Sequence, residues 1–266
     1  MQERGQIMLF NMPWMSYLII CPLSFLAGFI DSIAGGGGLI SVPAYTLANT
    51  PTQNLLGTNK LSSSIGTSIA SYKMIRSKNV HYPTGILSCI GALIGSAFGA
   101  RLTLLLDPRS IKIMVLVLAP ILLAFFILKK DIVSKENFLQ KKPWQIYVLA
   151  AVSGLFIGAY DGVFGPGTGT FLLMFNVGVI GMPIVTALGN SKLTNLSSNI
   201  AALTVFIISG RVMFGFGLCA AVFNALGNFI GASLAIKKGI KAIGLVFVIV
   251  MVALAVKTAN DLFGIL

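Results

Sequence analysis

Long uncharged stretches separated by short polar segments dominate the pattern of this chain. No Asp, Glu, Lys or Arg occurs in the following ranges: 5–30, 32–59, 162–191, 193–210 and 212–236. A helix needs about 20 apolar residues to cross the hydrocarbon core of a bilayer, whereas a membrane β-barrel shows short segments of alternating polarity. The pattern predicts an all-α membrane protein, a polytopic helical bundle of about eight to ten membrane segments.

The chain also repeats its own pattern. Gly28-Phe-Ile-Asp31, followed by four glycines, matches Gly158-Ala-Tyr-Asp161, which is followed by Gly165-Pro-Gly-Thr-Gly169. At a spacing of 132 residues, Gly57-Thr-Asn-Lys60-Leu61 matches Gly189-Asn-Ser-Lys192-Leu193. We therefore expect a first transmembrane repeat over residues 1–129 and a second over 143–266, joined by a basic loop at 130–142.

Charge in the loops predicts the relative orientation of the two repeats. By the positive-inside rule, the central loop and residues 76–81 and 237–241 face the cytoplasm. The loop after the third segment is then inside in the first half and outside in the second, which is the signature of an inverted repeat. Arg109 and Lys112 would lie outside and count against this topology, so a parallel repeat remains an alternative.

Glycine-rich stretches interrupt each half. Residues 39–50 and 168–182 are short for complete spans, and glycine and proline disfavour a continuous helix there. We expect broken or re-entrant helices, with hinges at Gly35, Gly37, Gly165 and Gly167. Irregular backbone at membrane depth occurs where it lines a cavity, and paired breaks point to the binding site of a transporter.

Two lysines occupy matching positions between uncharged stretches. A lysine near the bilayer centre costs about 2.5–3.5 kcal/mol on insertion scales, so the recurrence of Lys60 as Lys192 suggests a function. An ammonium group suits an anionic substrate, although snorkelling from a helix end is the structural alternative. Amide side chains that could bind the same anion, or hydrogen-bond neighbouring helices instead, are Asn59, Asn190, Asn195 and Asn199.

Asp31 and Asp161 are the acidic residues away from evident loops and termini. They could carry protons, since carboxyl groups inside a membrane often form proton relays. They could equally cap helix ends beside the glycine-rich turns, or pair with the lysines. A structural role is the favoured interpretation.

Composition narrows the function classes further. Charged residues make up 10% of the chain and the net charge is +12, with cations concentrated at helix ends, which indicates membrane orientation rather than nucleic-acid binding. Cys21, Cys89 and Cys219 are far apart in sequence and are interpreted as small apolar residues rather than a disulfide or metal set. With one histidine and no nucleophile elbow, neither a metal site, a cofactor nor an enzymatic activity is expected.

The combined motifs resemble the sulfite exporter TauE/SafE family of membrane permeases. The resemblance rests on Asp31-Ser-Ile-Ala-Gly-Gly-Gly-Gly-Leu-Ile-Ser-Val-Pro43, Gly57-Thr-Asn-Lys-Leu61, Tyr160-Asp-Gly-Val-Phe-Gly-Pro-Gly-Thr-Gly-Thr170 and Lys192-Leu-Thr-Asn-Leu-Ser-Ser-Asn199. It covers nearly the whole chain and implies transport of sulfite, sulfonates or related small anions.

We therefore expect a secondary transporter of a small anion that works by alternating access between the two repeats, in the inner membrane of a bacterium or archaeon. Its partners would be the anion and the lipid bilayer, and a homodimer is compatible with the sequence. The alternatives are a channel-like anion pore, a non-transporting membrane scaffold, and a cation carrier that uses Asp31 and Asp161.

Overall fold

A computed structural model describes residues 12–107, 109–111, 113 and 142–238. Eight helices have both ends within these ranges, which contain no strand. They are α1 (Trp14–Ala34), α2 (Gly38–Leu47), α3 (Thr52–Arg76), α4 (Tyr82–Leu105), α5 (Pro143–Val163), α6 (Thr168–Phe175, continued by a π-helical turn, Asn176–Ile180), α7 (Ile184–Ile208) and α8 (Phe214–Lys238). The predicted loop at 130–142, except for Lys142, lies outside the described residues, as do residues 114–129 and 239–266 of the two predicted repeats.

Four of the described helices, α1, α4, α5 and α8, are long and apolar enough to cross a membrane. Their outer faces carry large apolar side chains: on α4, Ile86, Ile94 and Phe98 are each about 60% exposed. Such a surface would be unfavourable in water but matches hydrocarbon. Trp14 and Trp144 are exposed at the starts of α1 and α5, where interfacial tryptophans are expected. The predicted all-α membrane fold is confirmed.

Many polar residues of the described helices face the interior of the bundle. Helices α3 and α7 are the least apolar of the long helices. Their buried side chains include Asn59, Lys60, Ser62 and Thr67 on α3, and Asn190, Lys192, Asn195 and Asn199 on α7. These two helices cross at the centre, so the bundle is polar inside and apolar outside, as expected when lipid is the solvent.

The predicted helix breaks are present and meet each other. Helix α1 ends at Gly35, which has a left-handed φ of 79°, and the break after α5 has left-handed glycines at 165 and 167. A Cβ on Gly169 would lie 2.7 Å from the Cα of Gly35, so the two breaks are in backbone contact. Thr170 donates a hydrogen bond to the carbonyl of Ala34 (2.8 Å), which satisfies an acceptor left open by the end of α1. Both short helices, α2 and α6, begin from these breaks.

Contacts between helices define their directions. Gly57 lies against Phe206 while Lys60 bonds Asn199, so α3 and α7 are antiparallel. Helix α8 runs parallel to α1 and α3, because residue numbers rise together along each contact: Ser24 meets Asn224 and Ser32 meets Gly231, while Gly57 meets Arg211 and Lys73 meets Phe229. Helix α4 runs parallel to α5 and α7 for the same reason: Gly91 meets Ala151 and Gly99 meets Ala159, while Thr84 meets Asn190 and Ser96 meets Ser198. The bundle thus contains two groups of parallel helices, group A (α1, α3, α8) and group B (α4, α5, α7).

Glycine ladders hold the partners within each group together. A Cβ on Gly95 would lie 2.0 Å from the Leu155 carbonyl oxygen, and one on Gly227 would lie 2.1 Å from that of Phe25. Small residues thus allow the close packing typical of membrane helices in the pairs α4·α5 and α1·α8. Each group takes one helix from the other half of the chain, α8 in group A and α4 in group B.

Two of the three cysteines, although far apart in sequence, lie close together in the fold. Cys21 on α1 and Cys219 on α8 are 198 residues apart, yet their sulfur atoms are 3.7 Å apart. Both are free thiols in this structure. The parallel packing of α1 on α8, invisible in the linear sequence, brings them together.

We expect copper-phenanthroline to oxidise Cys21 and Cys219 to an intramolecular disulfide, because the sulfurs need only approach to about 2.05 Å. Mass spectrometry after maleimide labelling in denaturant would then find one labelled thiol, Cys89 on α4, instead of three. Three labelled thiols after oxidation would contradict the packing of α1 against α8.

Candidate functional site

A small cavity lies where the two helix breaks meet α3 and α7. Its wall includes charged side chains (Asp31, Lys60, Asp161), amides and hydroxyls (Asn59, Ser63, Thr67, Asn195, Asn199, Asn224) and backbone glycines (Gly35, Gly37, Gly38, Gly165, Gly169). The cavity volume is about 20 Å³, room for about one water molecule. The site therefore has little free space between its polar groups in this structure.

Lys60 is the lysine in the cavity wall. Its Nζ donates to Oδ2 of Asp161 at 2.6 Å and to Oδ1 of Asn199 at 2.9 Å. The side chain is 3% exposed, so its charge depends on these partners. Gly165 permits the approach, because a Cβ there would lie 3.2 Å from Nζ. Lys60 is on group A and Asp161 on group B, so this ion pair joins the two groups.

Lys192 has a different environment from Lys60. It is fully buried and does not reach the cavity wall of the described structure. Its Nζ donates to Oδ2 of Asp31 at 2.8 Å and also to the backbone carbonyl of Asp31. Since that carbonyl belongs to the last turn of α1, Lys192 acts as a cation at a helix C-terminus. This second pair also joins group A to group B.

Of the roles considered for Asp31 and Asp161, the structure shows ion pairing with the two lysines. Each lysine is bonded to the aspartate of the other half of the chain. The centre therefore carries two positive and two negative charges, and it is balanced rather than electropositive. A helix-capping bond from either aspartate side chain is not observed in the described residues.

The amide side chains separate into two sets. Asn59, Asn195 and Asn199 line the cavity, and Oδ1 of Asn59 is buried with no hydrogen-bond partner among the described residues. Asn190 lies elsewhere: it accepts from the His81 amide (2.9 Å) and donates to Thr84 (2.7 Å). Asn190 therefore joins α7 to the start of α4 and is not brought to the cavity.

Of the four predicted hinge glycines, Gly35, Gly37 and Gly165 line the cavity, whereas Gly167 begins α6 just beyond it. Any side chain at position 37 would clash with the cavity wall, because its Cβ would lie 2.5 Å from the Cβ of Asp31. Glycine thus serves both the left-handed turns and the narrow space between the breaks.

Sequence reasoning missed Asn224 of α8, which also lines the cavity. It donates to the Ser24 carbonyl and accepts from Asn228, one turn further along α8. Residue 92, which lies 132 positions earlier, is alanine, so the comparison of repeats does not identify Asn224. Two asparagines four residues apart in an otherwise apolar helix were the available signal.

Two apolar clusters pack toward opposite ends of the bundle. At the end where α3 begins, the cluster includes Leu56, Phe164, Phe206 and Phe216. At the other end, where α7 begins, it includes Ile33, Met74, Ile180, Met182 and Leu188. The polar centre is thus separated from both ends of the bundle by packed apolar side chains.

Comparisons with known proteins agree with this architecture. The chain is 34% identical over 238 residues to a probable membrane transporter protein, ORF9, of Sinorhizobium sp, covering 90% of each chain. It is 33% identical to the probable membrane transporter protein YfcA of Escherichia coli K12 (91% and 89% covered) and 31% identical to one from Haemophilus influenzae (92% and 94% covered). No solved structure matches the chain.

The helical bundle and these bacterial relatives identify a multi-pass cell-membrane protein of a transporter family, in contact with the lipid bilayer. The family model for sulfite exporters matches residues 20–258. The chain belongs to the sulfite exporter TauE/SafE family.

Proposed function

We propose that this protein is a secondary permease of a small anion, such as sulfite, a sulfonate or a related organic anion, and not an enzyme. The observation that carries the proposal is Lys60, a buried cation in the wall of a central cavity between two broken helices. Transporters place substrate sites at such breaks. Lys60 would bind the anion, and Asn59, Asn195 and Asn199 would orient it by hydrogen bonds.

The beginning of α2 adds to the attraction for an anion. Gly38 is the first residue of this helix and lines the cavity. A helix N-terminus carries the positive end of the helix dipole. The Leu39 and Ile40 amides already donate to the Gly36 and Gly37 carbonyls, so the dipole, together with Lys60 and the amide side chains, provides the attraction for oxyanion oxygens.

The two groups of helices offer a basis for alternating access. We propose that residues 1–129 and 143–266 are inverted repeats, an interpretation supported by the antiparallel arrangement of α3 and α7. In this scheme, group A and group B rock against each other and open the apolar cluster at one end at a time. The packed apolar clusters at both ends of the bundle favour such a carrier over an open anion pore.

The function is tested by sulfite counterflow in proteoliposomes. We expect purified protein to give saturable uptake of labelled sulfite, accelerated by unlabelled sulfite inside the vesicles, because a carrier exchanges its substrate without net flux. Uptake that neither saturates nor shows counterflow would indicate a pore. Vesicles that remain impermeable to sulfite, sulfonates and carboxylates would indicate a non-transporting scaffold.

A further inference from the structure

The balance of charge around the cavity determines how an anion can enter it. Lys60 and Asp161 are in contact at 2.6 Å and are 3% and 2% exposed. Lys192 and Asp31 form the second contact at 2.8 Å. The four charges therefore sum to zero before any substrate binds.

A monovalent anion that bound Lys60 in this arrangement would leave the site with one uncompensated negative charge. It would also compete with a carboxylate already bonded to the same ammonium group. Uncompensated charge in a buried, weakly polarisable site is strongly unfavourable. A proton that binds together with the anion restores the balance.

We propose that each monovalent anion is carried together with one proton, and that the proton binds the Asp161 carboxyl group. The proposal rests on the anion permease function above. The proton bonds to Oδ2 of Asp161, the ion pair with Lys60 is replaced by an ion pair between Lys60 and the anion, and the net charge stays zero. Release of both on the other side re-forms the Lys60–Asp161 pair, so transport is electroneutral.

Asp161 fits this role better than Asp31. Its partner Lys60 lines the cavity with it, so an anion can take its place beside Nζ. The partner of Asp31 is Lys192, which is away from the cavity wall and also holds the end of α1 through the Asp31 carbonyl. Protonation of Asp31 would therefore free a cation that the anion does not reach.

The charged groups around Asp161 are consistent with protonation of its carboxyl group. From α3 it faces Lys60, and from α1 Asp31 lies near that same lysine. Its own helix contributes Tyr160, whose hydroxyl donates to the Pro166 carbonyl. Helix α7 contributes Lys192, which is bonded to Asp31; α4 has an exposed arginine, and α6 has no charged residue. Lys60 is thus the one charge in direct contact with Asp161 among the described residues.

Protonation of Asp161 would also weaken a contact between the two groups of helices. The Lys60–Asp161 bond links group A to group B, so its opening loosens the connection between the two groups at the site. The anion and proton together break this link, whereas neither does so alone without leaving a buried unpaired charge. This makes conversion of the half-loaded protein between the two orientations unfavourable, as coupled transport requires, whereas the empty protein returns with the neutral Lys60–Asp161 pair re-formed.

The test measures labelled bisulfite uptake into liposomes that contain the full chain, at a mildly acidic pH at which the monovalent ion predominates. Protein-free vesicles are subtracted. A potassium gradient with valinomycin imposes an inside-positive potential, and a separate experiment imposes an acidic exterior. An uncompensated monovalent anion would accumulate about 50-fold at about 100 mV.

We expect wild-type uptake to change by less than about twofold with this potential, and an acidic exterior of one pH unit to drive about tenfold accumulation. Asp161→Asn should convert the transport to one driven by potential and indifferent to the pH gradient, because Lys60 then meets the anion without a competing carboxylate. Asp31→Asn is the matched control and should lower activity while the remaining uptake stays insensitive to potential.

Wild-type uptake driven by potential and unaffected by the pH gradient would overturn the proposal, as would conversion by Asp31→Asn instead of Asp161→Asn. If Asp161→Asn does not reconstitute, the wild-type measurements and Asp161→Glu, which keeps the carboxyl and should keep the coupling, decide the matter. Counterflow without any gradient is measured in parallel. Absence of counterflow would count against the anion permease function itself. Counterflow without a response to the pH gradient would overturn only the proposed proton coupling.

Discussion

Removal of the charge pair at the cavity, Lys60→Met with Asp161→Asn, is expected to abolish saturable anion uptake. The anion would lose its countercharge, and truncating one partner of a buried charge pair costs about 2–5 kcal/mol, or about 30-fold to several thousand-fold in binding. The double substitution is preferred to Lys60→Ala alone, because the single change leaves the Asp161 carboxylate buried without a partner and costs about 3–5 kcal/mol of stability.

The matched control is the second pair, Lys192→Met with Asp31→Asn. It removes the same charges, but Lys192 does not reach the cavity wall in the described structure and it also binds the Asp31 carbonyl. We therefore expect a lower melting temperature with measurable uptake retained. Initial rates in proteoliposomes and thermal unfolding in detergent separate the two outcomes. Equal loss of uptake from both double variants, with folding intact, would show that the two lysines act equivalently.

Gly35→Ala is expected to prevent assembly of the bundle. Gly35 has a φ of 79°, and a Cβ there would lie 2.2 Å from the carbonyl carbon of Gly169. Both the left-handed backbone and the contact are unfavourable for alanine, and the obstacle is backbone that no side-chain rotation removes. We expect a loss of about 4 kcal/mol or more in stability, seen as little monodisperse protein in size-exclusion chromatography.

Gly178→Ala is the control for Gly35→Ala. Gly178 lies in the π-helical turn after α6, and apart from its own stretch of helix no described atom lies within 4 Å of the Cβ that the substitution adds. The variant should have the yield and melting temperature of the wild type, within about 0.5 kcal/mol. Normal assembly of Gly35→Ala would show that the two breaks do not touch as closely as described.

Several features of the site followed from the sequence because they depend on local chemistry. The glycines at 35 and 165 predicted where α1 and α5 end, since left-handed turns and close approaches exclude a Cβ. The recurrence of Lys60 at Lys192 marked two residues that are buried inside the bundle, because a charge among apolar segments is costly unless it has a purpose. Each of these positions can be predicted from the chemistry of a single residue type and its neighbours in the sequence.

Partnerships between distant residues did not follow from the sequence. The interpretation gave Lys60 and Lys192 equivalent roles, but the first lines the cavity and the second holds the end of α1. Likewise Asn190, which stands next to Ser191 and Lys192 in the motif, turns toward α4 instead. Neighbours along a helix differ by about 100° in direction, so membership of a motif does not decide which side chains share a cavity.

The sequence by itself determined the class of protein, the position of the helix breaks and the residues that would be costly to bury. Those properties depend on transfer of individual side chains into lipid and on the backbone freedom of glycine. Only the tertiary structure decided that α8 packs on α1 and α4 on α5, and hence that each lysine meets the aspartate of the other half. In lipid, helices associate through shape and small-residue contacts rather than through hydrophobicity, and such complementarity exists only once the surfaces face each other.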